Sequence, residues 1–317
     1  MTDSPGLKIT AATRGRVLEA IDELRYKPNV LARGLRLART WMLGLILPNV
    51  TSPVYGPLVH GAQARAEKAG YCIVLGSTPE GEAQEELFAQ LLSRGRVDGL
   101  LVASAKLGDE LVRELANGPA PVVVVNRRVQ GIESSAVVDD AAGAKLATTH
   151  LLDLGHRQLA HIAGPPGLDT SMRRRQGFRA AVKAAGLSNA VVLPASGWDA
   201  DSGYEVGLKL FAKHPGVTAV FAANALVAMG LARAASETGR EIPVDLSVNA
   251  LHDFPLASYT TPPLTTVAMP LTELGAAAVD LLVAKIEGRG ARSLLVETPP
   301  ELVLRGSTAP PRSELPR

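Results

Sequence analysis

The sequence is poor in cysteine and in aromatic residues. A single cysteine, Cys72, stands among 317 residues, so an internal disulfide is excluded and a reducing, cytoplasmic location is expected. Phe, Trp and Tyr together make up 4% of the chain, whereas hydrophobic residues make up 46% and are mostly Ala, Val and Leu. This composition favours closely packed parallel strands and helices over a β-sandwich.

Long apolar runs and catalytic motifs are also missing. No run is long and apolar enough for a membrane span, and the N-terminus, MTDSPGLKIT, has no apolar signal region. The sequence contains no Walker loop, no G-x-G-x-x-G after a predicted strand and no G-x-S-x-G elbow. The six histidines lack metal-ligand spacing. Asp139 and Asp140 are better interpreted as helix caps than as a catalytic pair, because adjacent strand residues point to opposite faces. We therefore predict no catalytic residue, metal or cofactor.

Charge is distributed unevenly along the chain. The first 40 residues contain eight Lys or Arg against four acidic residues, and the remainder carries a small negative balance. A basic end on a near-neutral body predicts a polyanionic partner at that end, with a solvated basic helix as the alternative. Within it, Thr10 is predicted to cap a helix that ends near Leu24. Asn29 is predicted to cap a second, very short helix over residues 30–37.

Downstream of residue 42, apolar strand-like runs alternate with amphipathic helical stretches. The predicted strands are 42–47, 71–76, 98–104, 121–126, 135–140, 158–164, 217–224, 245–251 and 263–269. The predicted helices are 59–68, 83–93, 141–154, 172–185, 204–213 and 226–238. This alternation predicts parallel strands covered on both faces, and their number favours two doubly wound lobes. Ligands of such folds bind beyond the carboxyl ends of strands, which points to 49–55, 126–128, 164–174, 224 and 252.

Several segments, in order, are similar to landmarks of the lac/galactose repressor (LacI/GalR) family of bacterial transcriptional regulators. TRGRVLEAIDELRYKPNVLARGLR (13–36) resembles the third helix of that family's DNA-binding head, followed by its hinge helix. LGLILPNVTSPVYGPLVHG (43–61) resembles its first receptor strand and ligand loop. The later matches are HLLDLGHRQLAHIAGP (150–165), RRRQGFRAAVKAAG (173–186), FPLASYTTPPLTTVAMP (254–270) and ELVLRGST (301–308).

The resemblance implies an α/β fold with two doubly wound parallel-sheet lobes of periplasmic-binding-protein-like type I, preceded by a partial helical head and a hinge helix. The expected limits are 1–28 for the head (third helix only), 29–40 for the hinge helix and linker, 41–139 plus 270–297 for the N-terminal lobe, 140–269 plus 298–310 for the C-terminal lobe, and 311–317 for a disordered tail. It also implies a homodimer on operator DNA, no membrane role, and an effector of the sugar or sugar-acid or sugar-phosphate class in the interlobe cleft.

The same resemblance implies residue roles. Ten residues are expected to bind the effector, namely Ser52, Val54, Tyr55, Asn126, Arg127, Thr170, Arg174, Trp198, Asn224 and His252. Four are expected to contact DNA, namely Asn29, Arg33, Leu35 and Arg36, with Leu35 wedged between base pairs in the minor groove. Arg174 matches the family's ligand-clamping arginine, and Trp198 matches an aromatic residue that stacks on the effector. Ala225 and His252 stand where carboxylates are usual. This favours an anionic effector, with affinity tuned by protonation of His252 between about pH 5 and 8.

The resulting hypothesis is a cytoplasmic, dimeric, ligand-responsive transcriptional regulator of repressor type. One alternative is a headless receptor without specific DNA binding. Another is a secreted solute-binding protein, against which the missing signal region argues. An enzyme would need a catalytic set that the sequence does not offer. Because roughly ten residues precede the predicted third head helix, the sequence as given is expected to bind DNA weakly and with little sequence preference.

Overall fold

The computed structural model describes residues 10–23, 39–77, 91, 95–106, 108–118, 120–290 and 292–312. The chain divides into two compact units after Trp41. In the first unit, α1 (Ala11–Glu23) begins directly after Thr10, whose hydroxyl accepts a hydrogen bond from Thr13 N–H, so the predicted cap is confirmed. The predicted helix at 30–37 lies outside the described residues. So do the four candidate DNA contacts, Asn29, Arg33, Leu35 and Arg36.

The described part of the second unit contains two six-stranded sheets. The first sheet consists of β1 (Met42–Leu47), β2 (Cys72–Ser77), β3 (Gly99–Val102), β4 (Val122–Val125), β5 (Ser135–Val137) and β11 (Ser293–Leu295). Its order is β11-β5-β4-β3-β1-β2, with all neighbours parallel. The second sheet consists of β6 (Leu159–Ala163), β7 (Val191–Pro194), β8 (Ala219–Ala222), β9 (Ser247–Leu251), β10 (Thr265–Ala268) and β12 (Glu301–Val303). Its order is β12-β10-β9-β8-β6-β7, and β12 runs antiparallel to β10.

Helices pack on both sheets. The first sheet carries α2 (Tyr55–Lys68), α3 (Glu110–Asn117) and α8 (Leu271–Ile286). The second carries α4 (Asp140–Asp153), α5 (Asp169–Ala184), α6 (Ala200–Lys213) and α7 (Ala225–Glu237), and a 3-10 helix spans Pro255–Tyr259. Each sheet with its helices is called here the first or the second lobe. The predicted α/β fold with two doubly wound, mostly parallel sheets is confirmed.

The central strands are buried on both faces, whereas the apolar edge strand β2 is exposed or half-buried. Every residue of β3 (GLLV) and β4 (VVVV) is buried, as expected for parallel strands under helices. On the first lobe, α2 and α8 approach closely through glycine. A Cβ at Gly61 would overlap the carbonyl oxygen of Thr272, and one at Gly275 would overlap that of Leu58. This contact holds α2, whose first residue enters the site described below, firmly against the lobe.

The chain passes between the two lobes three times, after β5, after β10 and between β11 and β12. The first crossing runs directly into α4 and lies beside the start of α5. Near the C-terminus, Arg312 pairs with Asp245 (2.9 Å), and residues 313–317 of the predicted tail lie outside the described residues. None of the helices in the described residues combines the length and the hydropathy needed to cross a bilayer.

Candidate effector site

One cavity of about 260 Å³ is lined by all ten candidate effector residues. The first lobe contributes Ser52, Val54, Tyr55, Asn126 and Arg127, and the second contributes Thr170, Arg174, Trp198, Asn224 and His252. Four more residues complete the lining, namely Pro48, Asn49, Asp199 and Leu226. Asn49 falls in the segment 49–55 predicted from the strand ends, whereas Pro48, Asp199 and Leu226 lie outside the predicted segments. The two lobes therefore meet at the cavity with the carboxyl ends of their strands.

Two lining residues occupy equivalent places in the two lobes and share an unusual backbone conformation. Asn126 follows β4 and His252 follows β9, each the third strand in the order of its sheet. Their φ angles are 66° and 69°, in the left-handed region that side chains rarely adopt. Such backbone costs about 1–3 kcal/mol and persists where surrounding contacts enforce it, often at ligand sites. The turn after each strand is thus shaped to present these two residues to the cavity.

The guanidinium group of Arg174 is buried and makes three hydrogen bonds within the protein. Nε donates to Asp140 Oδ1, Nη1 to Ala223 O and Nη2 to His252 Nε2, each at 2.7 Å. Burial opposes a charged Asp140, but the positive charges of Arg174 and Arg173 outweigh it and lower the pKa of this carboxyl group. The expectation, drawn from Ala225 and His252, that Arg174 faces no carboxylate is therefore wrong. The argument for an anionic effector loses its basis.

The two neighbouring acids at the start of α4 differ in role. Asp139 caps the helix, because its Oδ1 accepts a hydrogen bond from Ala142 N–H (2.9 Å), as the sequence predicted. Asp140 does not cap. Its side chain is fully buried, and its second oxygen lies 2.6 Å from Arg173 Nη1 as an ion pair. Helix capping is thus confirmed for the first acid and wrong for the second, which neutralises buried arginine.

His252 is a neutral ring in the folded protein. A guanidinium group only donates hydrogen bonds, so Nε2 of His252 accepts from Arg174 and the ring proton lies on Nδ1. Burial, and then the positive charge of Arg174, lower the pKa of His252 to about 3. The expected protonation between pH 5 and 8 is therefore wrong, since the charged ring would have to sit beside a guanidinium group.

Stability should fall on acidification because of this ring. The unfolded His252 titrates near pH 6.5 and the folded one near 3, so its contribution is complete above about pH 6.5 and is lost toward pH 3. The slope is at most about 1.4 kcal/mol per pH unit. We expect His252→Gln to flatten the acid limb of stability against pH, measured by urea unfolding. His60→Gln, exposed on α2, is the control, and an unchanged slope in the His252 variant would contradict the assignment.

Trp198 is held in the cavity wall by contacts of three kinds. Asn224 Nδ2 donates to Trp198 O (2.9 Å), while Asn224 Oδ1 caps α7 by accepting from Val227 N–H (2.8 Å). Arg174 Cζ lies 5.0 Å from the indole centroid, a cation–π distance. The indole edge rests on Gly164, where a Cβ would overlap Cη2 and Cζ3 of the ring. Both ends of the Asn224 amide are engaged, so this residue positions Trp198.

The first lobe supplies a buried phenol and a second buried guanidinium group. Arg127 Nη1 donates to the carbonyl oxygens of Ser104 and Ala105, both at 3.0 Å. Burial raises the pKa of Tyr55, and the positive charges of Arg127 and Arg174 offset this only in part. The phenol is therefore protonated and able to donate a hydrogen bond at neutral pH.

Comparisons with known proteins show which of them share this two-lobed architecture. A family profile described as a periplasmic binding protein-like domain matches residues 148–308. The ribose operon repressor of Halalkalibacterium halodurans is 33% identical over 292 residues, which cover 92% of this chain and 87% of the repressor. The CelR transcriptional regulator in complex with cellobiose has a TM-score of 0.78 and 29% identity over 95% of this chain and 92% of its own. The lac repressor dimer bound to operator and the anti-inducer ONPF has a TM-score of 0.81 and 27% identity over 96% and 92%.

Two mostly parallel sheets joined by three crossings, with a cavity between them, define a two-lobed small-molecule receptor. The chain belongs to the LacI family of transcriptional regulators. It is a ligand-responsive, DNA-binding transcriptional regulator of repressor type, and the solved lac repressor among its structural neighbours is a dimer. The relatives are repressors rather than enzymes, and the family places this chain with them rather than with solute-binding proteins.

Proposed function

We propose that a small, neutral, polyhydroxylated effector of the sugar class binds in the cavity and controls this regulator. The observation that carries the proposal is the buried ion pair of Arg174 with Asp140. A guanidinium group that already faces a carboxylate gains little from a second anion, which would also lose its hydration on entering the cavity. Hydroxyl groups, which donate and accept, place no net charge beside this pair.

The other charges around the cavity support the same class of effector. Arg173 pairs with Asp169 (2.8 Å), so it too has an acidic partner. Arg127 carries a positive charge into the lining, and Asp199, which also lines the cavity, carries a negative one. The formal charges of Arg127, Arg174, Asp140 and Asp199 cancel. A site of this balance favours a neutral molecule over a carboxylate or a phosphate.

Polar and apolar groups are combined as a sugar requires. Trp198 offers an indole to the carbon face of a ring, as in many small-molecule sites. Three buried polar atoms of lining residues have no hydrogen-bond partner among the described residues, namely Asn126 Oδ1, Arg127 Nε and His252 Nδ1. The first accepts a hydrogen bond and the other two donate one. Sugar hydroxyl groups both donate and accept, so they can pair with all three once lobe movement admits the effector. The similarity to a cellobiose complex agrees with this class.

We expect neutral sugars to bind at least tenfold more tightly than their acidic counterparts. The difference follows from the charge balance, because an added anion would lose its hydration and give a cavity whose charges already cancel a net negative charge. Calorimetry should compare matched pairs, such as glucose with glucuronic acid and ribose with ribose 5-phosphate, on one preparation of protein. Tighter binding of the acid in every pair that binds would refute the proposal.

The link to DNA also belongs to the proposal. We propose that lobe movement acts through residues 29–40, and that Asn29, Arg33, Leu35 and Arg36 contact the operator. The domain limits predicted from the sequence are part of the same proposal. Anisotropy of labelled operator DNA, titrated with and without the bound sugar, measures the link. Equal DNA affinity in the two titrations would contradict the proposed coupling between sugar binding and DNA binding.

A further inference from the structure

The first turn of α5 carries a buried ion pair that does not line the cavity. Asp169 and Arg173 lie four residues apart, and Arg173 Nε donates to Asp169 Oδ2 at 2.8 Å. The two residues are 5% and 8% exposed, which makes this a desolvated pair rather than a surface one. Buried ion pairs are costly to form, so one retained here needs partners beyond itself.

Those partners are the Asp140 carboxylate, which lies 2.6 Å from Arg173 Nη1, and backbone groups of the other lobe. Asp169 Oδ2 also accepts a hydrogen bond from Arg128 N–H (3.0 Å), and Arg173 Nη2 donates to Asn126 O (3.0 Å). Both contacted positions follow β4 in the first lobe, and they lie on either side of Arg127. Arg173 Nη1 adds a hydrogen bond to Val138 O (2.6 Å), in the segment where the chain crosses between the lobes.

This pair therefore grips the segment that supplies two cavity residues, Asn126 and Arg127. Asn126 adopts the left-handed φ of 66°, a conformation that surrounding contacts must enforce. The bond from Arg173 to Asn126 O fixes one side of that turn, and the bond from Arg128 N–H to Asp169 fixes the other. The second lobe thereby sets the orientation of effector-facing groups on the first.

We infer that Asp169 and Arg173 form an interlobe clamp whose closure sets effector affinity, although neither residue lines the cavity. The inference rests on the cavity being the effector site, as proposed above. Both contacts join side chains of one lobe to backbone of the other, so they are lost when the lobes separate. The apparent effector affinity is proportional to the fraction of molecules in the clamped arrangement, so it falls as that fraction falls.

The clamp itself can be tested in the protein without effector. Asp169→Ala removes the acceptor of Arg128 N–H, and Asp169→Asn keeps an acceptor without the charge. Hydrogen exchange at the Arg128 amide should be at least tenfold faster in Asp169→Ala, with Asp169→Asn in between. Small-angle scattering should show a larger radius of gyration for Asp169→Ala and Arg173→Met. The control is Arg175→Met, an exposed arginine on the same helix, and it should match the wild type.

The effect on affinity is measured with the neutral sugar that binds most tightly in the matched-pair calorimetry. We expect Asp169→Ala and Arg173→Met to bind it about ten- to a hundredfold more weakly, with Asp169→Asn recovering part of the loss. Unchanged Arg128 exchange and lobe separation in folded Asp169→Ala and Asp169→Asn would overturn the clamp. Normal affinity in a variant whose lobes do separate would overturn its role in binding. Failure of every sugar to bind, with the exchange and scattering results as expected, would refute the effector class and leave the clamp.

Discussion

Replacing Asp140 with alanine should remove about 3–5 kcal/mol of the free energy of unfolding, because the change leaves buried positive charge without its partner. The Asp140 carboxylate is completely buried and lies 2.7 Å from Arg174 Nε and 2.6 Å from Arg173 Nη1. Arg173 would keep Asp169, whereas Arg174 would keep no carboxylate and would contact only the Ala223 carbonyl, a neutral imidazole and the Trp198 indole. Equilibrium unfolding in urea at neutral pH measures the loss.

The neighbouring acid is the matched control for this prediction. Asp139→Ala removes the same side chain one position earlier, where it caps α4, and should cost about 1 kcal/mol. The pH dependence should differ as well. The lowered pKa of Asp140 gives stability that is complete above its unfolded pKa, near 3.9, and is lost as pH falls through the folded value. Equal losses in the two variants, at neutral and at acid pH, would show that Asp140 is no more than a capping residue.

Most of the fold could be predicted from residue patterns, and the strands that could not be predicted lie at sheet edges. All nine predicted strands are present within a few residues of their predicted limits, because buried parallel strands are continuous apolar runs. The unpredicted strands β7, β11 and β12 have three or four residues each and are partly exposed. All three lie at the edges of their sheets. Helices α3 and α8 are not predicted from the sequence either, and the predicted helix at 83–93 lies almost wholly outside the described residues.

Three helices begin earlier in the structure than the sequence pattern predicts. The first turns of α2, α5 and α6 begin three or four residues before their predicted limits. In α5 these extra residues include Asp169 and Thr170, which are polar and break the apolar period used to find the helix. Thr170 lines the cavity and Asp169 contacts the other lobe, so neither side chain packs into the apolar core. The local pattern therefore fails where function replaces packing.

The candidate site could be located from the sequence, but its electrostatics could not. Family resemblance and the strand-end rule together named ten residues that the structure brings to one cavity. The sequence does not reveal Asp140 as the partner of Arg174, because Asp140 lies 34 positions earlier and directly follows Asp139, which caps α4. Only the crossing of the chain between the lobes brings these two side chains within 2.7 Å. The net charge of a site depends on such long-range pairs, and the spacing of residues in the sequence does not show them.

Gly164→Ala should displace the Trp198 indole and weaken sugar binding at least tenfold. A Cβ at this position would overlap Cη2 and Cζ3 of the ring and would lie 2.7 Å from Ser171 Oγ. The indole is the larger and less buried neighbour, so we expect it to move toward solvent. Overpacking of this kind costs about 1–3 kcal/mol of stability. In a Trp41→Phe background the emission reports Trp198 alone, and it should shift to the red.

A second substitution separates loss of the indole contact from general damage near β6. In a Trp198→Ala background the overlap with the ring is gone and only the Ser171 hydroxyl group, which can rotate away, remains close. Gly164→Ala should then cost little, and the two changes should be strongly non-additive. Gly56→Ala is the control for glycine replacement as such, because a Cβ there meets nothing within 4 Å in α2. It should be neutral, or stabilising by up to about 1 kcal/mol. If Gly164→Ala costs as much stability without the indole as with it, then the ring is not what requires glycine here, and Trp198 is not seated by this contact.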